Sequence, residues 1–153
     1  MPLPCVPSFA TALLRHTPRA DPVHFDWLLD LPLPTPDGQL AEADRVPTFR
    51  LSVPLDRCPI GDVLVAERIA DHRPLYLCLA EPRELSGDRG TVVPHRRGRI
   101  VESNSRDAAR SPSEIELVVE WTDGEIAIRQ RLRLTPRDDR RWTIKVMDRD
   151  RTP

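Results

Sequence analysis

The chain has 153 residues, enough for one domain with a substantial hydrophobic core. An apolar share of 39% and a charged share of 31% suit a globular protein with a heavily solvated surface. The formal net charge of −1 at pH 7 supplies no overall field toward nucleic acid, so any such contact has to come from a local patch. The 17 prolines argue against long helices, because each interior proline removes a backbone hydrogen bond. Cys5, Cys58 and Cys78 are odd in number, widely spaced and form no C-x-x-C pair. Reduced, buried thiols are therefore expected rather than a disulfide framework or a zinc knuckle. Met1 to Pro7 lacks a basic region followed by an apolar stretch, and no apolar run approaches the roughly 20 residues that span a bilayer. The expected compartment is the cytoplasm, without membrane contact.

Taken in chain order, Ser8 to Leu14 is the one segment with a helical reading. Val23 to Leu31 alternates cleanly: Val23, Phe25, Trp27, Leu29 and Leu31 share one face, and His24, Asp26, Leu28 and Asp30 the other. Asp37-Gly38 lies in a loop of turn-forming residues. Further strands are predicted at about Val46 to Val53, Asp62 to Ala70, Leu75 to Ala80 and Thr91 to Val93. A turn at Arg97-Gly98 then leads into Arg99 to Glu102. The polar stretch Ser103 to Ser113 reads as a loop. After it, Glu114 to Trp121 and Glu125 to Leu134 flank Asp123-Gly124, a strong hairpin signal. A two-residue turn there sets Trp121 opposite Ile126, Glu116 opposite Arg131 and Glu114 opposite Arg133. Arg141 to Met147 is the last strand. Many short strands with little helix predict a mainly-β chain, folded as a small antiparallel β-barrel.

Three groups of residues could carry chemistry. In a strand, His24 and Asp26 point the same way, offering a nitrogen and a carboxylate to one point, and His16 lies close enough in sequence to join them. Two histidines and a carboxylate leave coordination positions open, as a catalytic divalent metal requires. The alternative is an exposed polar face, on which Leu28 is out of place. His72 and Tyr76, across the Pro74 turn, offer a proton donor and a phosphate contact, or else a loop histidine and a barrel-lining tyrosine. Arg129, Arg131 and Arg133, continued by Arg137, Arg140 and Arg141, read as a phosphate track or as cross-strand partners of glutamates, and the glutamates favour the second. Arg89, His95, Arg96 and Arg97 read as exposed loop charges. Phosphate-binding glycine loops, the G-x-S-x-G elbow and H-E-x-x-H are all missing.

These pieces stand in a familiar order. His16 precedes His24-Phe25-Asp26-Trp27-Leu28-Leu29, then Phe49 to Pro54, then Asp71-His72-Arg73-Pro74-Leu75-Tyr76. Ser86-Gly87-Asp88-Arg89-Gly90-Thr91-Val92, Arg96-Arg97-Gly98 and Trp142-Thr143-Ile144-Lys145 follow. From about Arg15 to Met147 the chain resembles the 3′-phosphoesterase module of bacterial DNA ligase D. The resemblance implies a β-barrel domain over residues 15–147, with an N-terminal segment 1–14 and a C-terminal tail 148–153. No room remains for a ligase or polymerase domain, so a free-standing version is expected.

That family trims 3′-phosphate or 3′-ribonucleoside ends of DNA in repair. The resemblance implies a Mn²⁺ or other divalent ion on His16, His24 and Asp26, with His72 and Tyr76 at the scissile phosphate. Primer–template 3′ ends are the implied substrate, and repair ligases or polymerases the implied partners. Two departures stand out: the family's arginine is Leu28 here, and the lysine after the short strand's proline has no counterpart, since Leu55 follows Pro54. Arg50 or Arg73 would have to stand in as substrate-binding cations, although an arginine in a new place need not reproduce the geometry. The spacing from His16 to His24 is also longer than in the ligase modules. These departures motivate the alternative, a non-catalytic nucleic-acid-binding or interaction module that keeps the barrel.

Overall fold

Alternating apolar and polar residues account for most of the sheet. In the computed structural model, which describes residues 9–33, 45–104, 114–138 and 140–152, the strands are β1 (Ala10–Thr17), β2 (His24–Leu29), β3 (Val46–Leu51), β4 (Val63–His72), β5 (Arg83–Glu84), β6 (Thr91–Ser103), β7 (Ile115–Trp121), β8 (Ala127–Pro136) and β9 (Arg141–Thr152). All pairings are antiparallel, in the order β1-β2-β3-β4-β9-β8-β7-β6. A further pairing of β1 with β6 closes these strands into a barrel-like ring, and β5 is attached to β6. Among the described residues the helical content is two 3₁₀ turns, Leu55–Arg57 and Pro74–Cys78. None of it is long and apolar enough to cross a membrane.

Several expectations need correction. The segment read as a helix is β1. Its residues Ala10 to Leu14 are buried on both faces, so the alternation that marks a strand is erased. Leu75 to Ala80 is not a strand, because Pro74 starts a 3₁₀ turn that buries the consecutive residues Tyr76 and Leu77. Arg97-Gly98 is not a turn but the middle of β6, where Gly98 lets the backbone of Glu120 approach too closely for any Cβ. The hairpin keeps its predicted faces but slides by two residues. Trp121 pairs with Ile128 and Glu116 with Arg133, so the connection is longer than Asp123-Gly124. The sheet also runs past its expected limits, taking in Ala10 to Leu14 and Asp148 to Thr152. The loop signals at Asp37-Gly38 and from Ser105 to Ser113 lie outside the described residues, as does Cys5. Cys58 is a free, buried thiol, whereas Cys78 is disulfide-bonded. The expectation of reduced thiols fails there, because spacing along a chain does not report distance in the fold, and the cysteines no longer argue for a reducing compartment.

The inner face of the ring is the main core. Trp27, Phe49 and Trp142 form an aromatic run, with ring centres 6.0 Å and then 5.4 Å apart. The Leu55–Arg57 turn packs Leu55 and the following Cys58 into the same core. One polar side chain ties this turn to the wall. Gln130 is fully buried, accepts a hydrogen bond from the Trp121 indole at 2.7 Å and donates to the carbonyls of Leu55 and Cys58 at 2.9 and 3.3 Å. Gln130→Ala would strand the Trp121 indole N–H and the Cys58 carbonyl, while the Leu55 carbonyl would keep the Cys58 N–H. It should lower the free energy of unfolding by about 2–4 kcal/mol in a urea titration. A loss below about 1 kcal/mol would show that the amide is not the tie.

Candidate metal centre

The outer face of β1 and β2 is built from the residues that alternate with the core. Ala10, Ala12, Leu14, Leu28, Val46, Tyr76, Leu77 and Val92 form a second apolar cluster there, roofed by the 74–78 turn. This explains Leu28. It is no exposed apolar residue on a polar face but a fully buried member of that cluster, contributing about 1.5–3 kcal/mol by burial. At one end of the cluster the apolar side chains give way to polar ones. His16 lies directly across from His24, and Asp26 lies between Leu14 on one side and Arg50 on the other.

His72 reaches this face through a register shift. Thr48 pairs with Ile69 but Val46 pairs with His72, so β4 carries one extra residue between them. In an unbroken ladder His72 would point to the opposite face, because side chains alternate with period two. The shift turns it toward Asp26, with Nε2 at 3.5 Å from Oδ2. Its other ring nitrogen, Nδ1, lies 3.1 Å from the Ala70 carbonyl.

Proton bookkeeping at His16 is constrained from outside. Its Nε2 lies 2.8 Å from the carbonyl oxygen of Arg89. A carbonyl only accepts, so Nε2 carries the hydrogen and Nδ1 presents its lone pair. That lone pair faces His24 Nε2 at 2.9 Å and Asp26 Oδ2 at 3.6 Å. Asp26 Oδ1 is 3.1 Å from His24 Nε2, yet it is buried with no partner at hydrogen-bonding geometry. Three ligand atoms thus sit within 4.8 Å of one another, two from histidines and one from a buried carboxylate with an unsatisfied oxygen. This donor set fits a divalent cation. Burial pushes the Asp26 carboxyl up, but His24 and His72 overcome this and hold it below the usual carboxylate range. The group is therefore an anion, ready for a cation.

The turn that supplies the Arg89 carbonyl is tightly placed. Asp88 pairs with Arg19, the Arg89 side chain is tied to Ser86, and Leu85 N–H donates to the Gly90 carbonyl at 2.8 Å. Gly90 has φ +92°, and a Cβ there would collide with the Thr17 carbonyl and stand 2.8 Å from Pro18 Cα. Only glycine lets the turn lie against the end of β1. The sequence reading left Arg89 without a role, and its side chain gave no signal because its carbonyl does the positioning.

His16 and His24 also line an open cleft of about 750 Å³, together with Arg19, Arg50, Ser52 and Arg89. Arg50 is exposed and has no ion-pair partner among the described residues. Arg73 lies on the other side, with its guanidinium carbon 5.9 Å from the centre of the Tyr76 ring. Tyr76 is buried in the outer cluster and meets the His72 ring edge-on at 5.6 Å. The arginine stripe behaves as its glutamates suggested. Arg129 pairs with Glu120, Arg131 with Glu102, and Arg133 with both Glu114 and Glu116. His16, His24, Asp26, His72, Tyr76, Arg50 and Arg73 therefore lie on or beside one patch of the outer face, whereas Arg129, Arg131 and Arg133 lie on β8. No family model and no curated protein matches the chain.

Because the Arg89 carbonyl fixes the orientation of His16, Gly90→Ala should weaken Mn²⁺ binding by about 10–100-fold in calorimetry. Gly87→Ala, at φ +69°, introduces the same backbone strain but its Cβ meets nothing within 4 Å, so it controls for strain without the collision. Equal losses in both variants, or none in Gly90→Ala, would remove the carbonyl from the account.

Proposed function

We propose that the chain is a divalent-metal-dependent phosphoesterase that trims 3′-phosphate or 3′-ribonucleoside ends of nucleic acid in repair. The observation that carries this reading is the convergence of His16, His24 and Asp26 on one point, with His72 turned toward the same carboxylate by the extra residue in β4. The motif order of the sequence supports it independently. Mn²⁺ suits the mixed nitrogen and oxygen donors, and when bound it supplies Lewis acidity toward a phosphoryl oxygen.

The chain's own residues have separable tasks. His16, oriented by the Arg89 carbonyl, holds a lone pair toward the site, His24 Nε2 would give up the hydrogen it shares with that lone pair to hold an ion, and Asp26 supplies negative charge. His72 can hold a proton at Nε2, facing Asp26, while Nδ1 faces the Ala70 carbonyl. In hydrolysis of a 3′-phosphate a water oxygen bonds to phosphorus as the O3′–phosphorus bond breaks, His72 gives that proton to the departing O3′, and the proton lost by the water restores His72. Tyr76 holds His72 in place through the edge-on ring contact. Arg50, beside Asp26 in the cleft, is placed to bind the anionic end group. These placements favour it over Arg73, which sits against Tyr76.

A second reading has its own observation. Leu28 stands where the ligase modules carry an arginine, and its burial in the apolar cluster leaves no cation there. Losing one fixed donor at such a site costs about 10²–10³ in rate. A chain that keeps the metal and binds 3′ ends without hydrolysing them is consistent with that change.

The two readings separate in one assay. Purified protein with Mn²⁺ and a primer–template ending in 3′-phosphate should release inorganic phosphate, and His72→Ala should slow the release by about 10²–10⁴-fold. An untouched 3′-phosphate, beside a ligase module that removes it under the same conditions, would falsify the catalytic reading. Salt-dependent binding without turnover would then favour the second.

A further inference from the structure

Some of the protein's arginines are neutralised by carboxylates. Arg99, Arg129, Arg131 and Arg133 pair with glutamates, and Arg19 and Arg96 with aspartates. Several others, Arg50 among them, have no such partner among the described residues, and the exposed Arg73 and Arg83 are two of these. Yet both are held against the same ring. The guanidinium carbon of Arg73 lies 5.9 Å from the Tyr76 centroid, and that of Arg83 lies 5.8 Å from it. They arrive from separate elements. Arg73 immediately precedes the 74–78 turn, while Arg83 is fixed by pairing with Val92 across β5 and β6.

Two like charges collected on one aromatic ring repel each other, and the ring's attraction offsets this only in part. An anion between or above them would relieve it. Guanidinium forks match phosphate oxygens in geometry, and they are suited to hold a phosphodiester. Tyr76 is buried against Leu77 and its neighbours, leaving no open ring face on which a base could stack. Base stacking on Tyr76 is therefore not available, and the two guanidiniums are the groups left to meet a phosphate. The patch adjoins His72, whose ring touches Tyr76, so it lies beside the candidate metal centre.

We infer that Arg73, Tyr76 and Arg83 form a sequence-independent subsite for the phosphodiester that precedes the scissile group on the same strand. This rests on the phosphoesterase reading for its direction, and it adds Arg83, which no sequence motif marks. With a net charge of −1, the chain needs such a local cation pair to hold nucleic acid at all.

The test measures binding of a primer–template with a 3′-hydroxyl end, by fluorescence anisotropy across a potassium chloride series in Mn²⁺. Arg83→Ala should weaken binding equally for primers of different sequence. It should also lower the slope of log affinity against log salt by about 0.7–0.9. Arg83→Lys should restore the slope, because it restores the charge. Arg131→Ala, on the paired stripe, should leave binding and slope as in wild type. Calorimetry on Arg83→Ala reports Mn²⁺ affinity separately, and wild-type affinity is expected. An unchanged slope in Arg83→Ala, with normal Mn²⁺ binding, would overturn the subsite alone. Failure of the wild type to bind Mn²⁺ would instead overturn the phosphoesterase reading on which it rests.

Discussion

The structure depends on β1 and β2 being covered on both faces. Their inward residues, Leu13, Trp27 and Leu29, enter the barrel-like core, and their outward residues, Ala12, Leu14 and Leu28, enter a second apolar cluster beneath the 74–78 turn. A slip of one residue would exchange these two sets between faces of different shape and carry His24 and Asp26 to the core side, so packing on both faces fixes the register. That rigidity reaches the site, because His24 and Asp26 continue the outward row of Leu28 and His16 continues that of Leu14. The convergence of their ligand atoms is a consequence of packing, so the groups need little reorganisation to accept an ion.

Two irregularities adapt this frame to chemistry. The extra residue in β4 changes the face on which His72 emerges, and Gly90 lets a neighbouring turn press its Arg89 carbonyl onto His16. Both are local departures from a regular ladder placed next to the candidate centre, where such departures re-aim a side chain. Leu28 shows the opposite choice. Burial there stabilises the outer cluster by a few kcal/mol, roughly the size of the transition-state loss from one missing cation.

Much of this was legible in the residues. Val23 to Leu31, with core and site residues on alternate sides, announced β2 and placed His24 beside Asp26. The hairpin strands were also plain, and their glutamates accounted for Arg129 and Arg133 of the arginine stripe. What stayed hidden has physical causes. β1 lost its alternation because both its faces are buried, and Pro74 and Gly98 carry the same composition in a 3₁₀ turn or a long strand as in the turns they suggested. The hairpin slipped by two because turn length, rather than face, sets register. Arg83 and the Arg89 carbonyl act through pairing of β5 with β6 and a turn lying on β1, and neither contact leaves a mark on local sequence.

The most direct test of the central claim is a Mn²⁺ titration by calorimetry on wild type, His24→Ala and His95→Ala. His95 is a suitable control because it bonds Asp56 at 3.0 Å, away from the three ligand atoms. Saturable binding to a single site, lost in His24→Ala and kept in His95→Ala, is the predicted result. Absent binding, or binding that survives His24→Ala, would contradict a metal centre on His16, His24 and Asp26 and leave the cluster a hydrogen-bonded patch of the barrel wall.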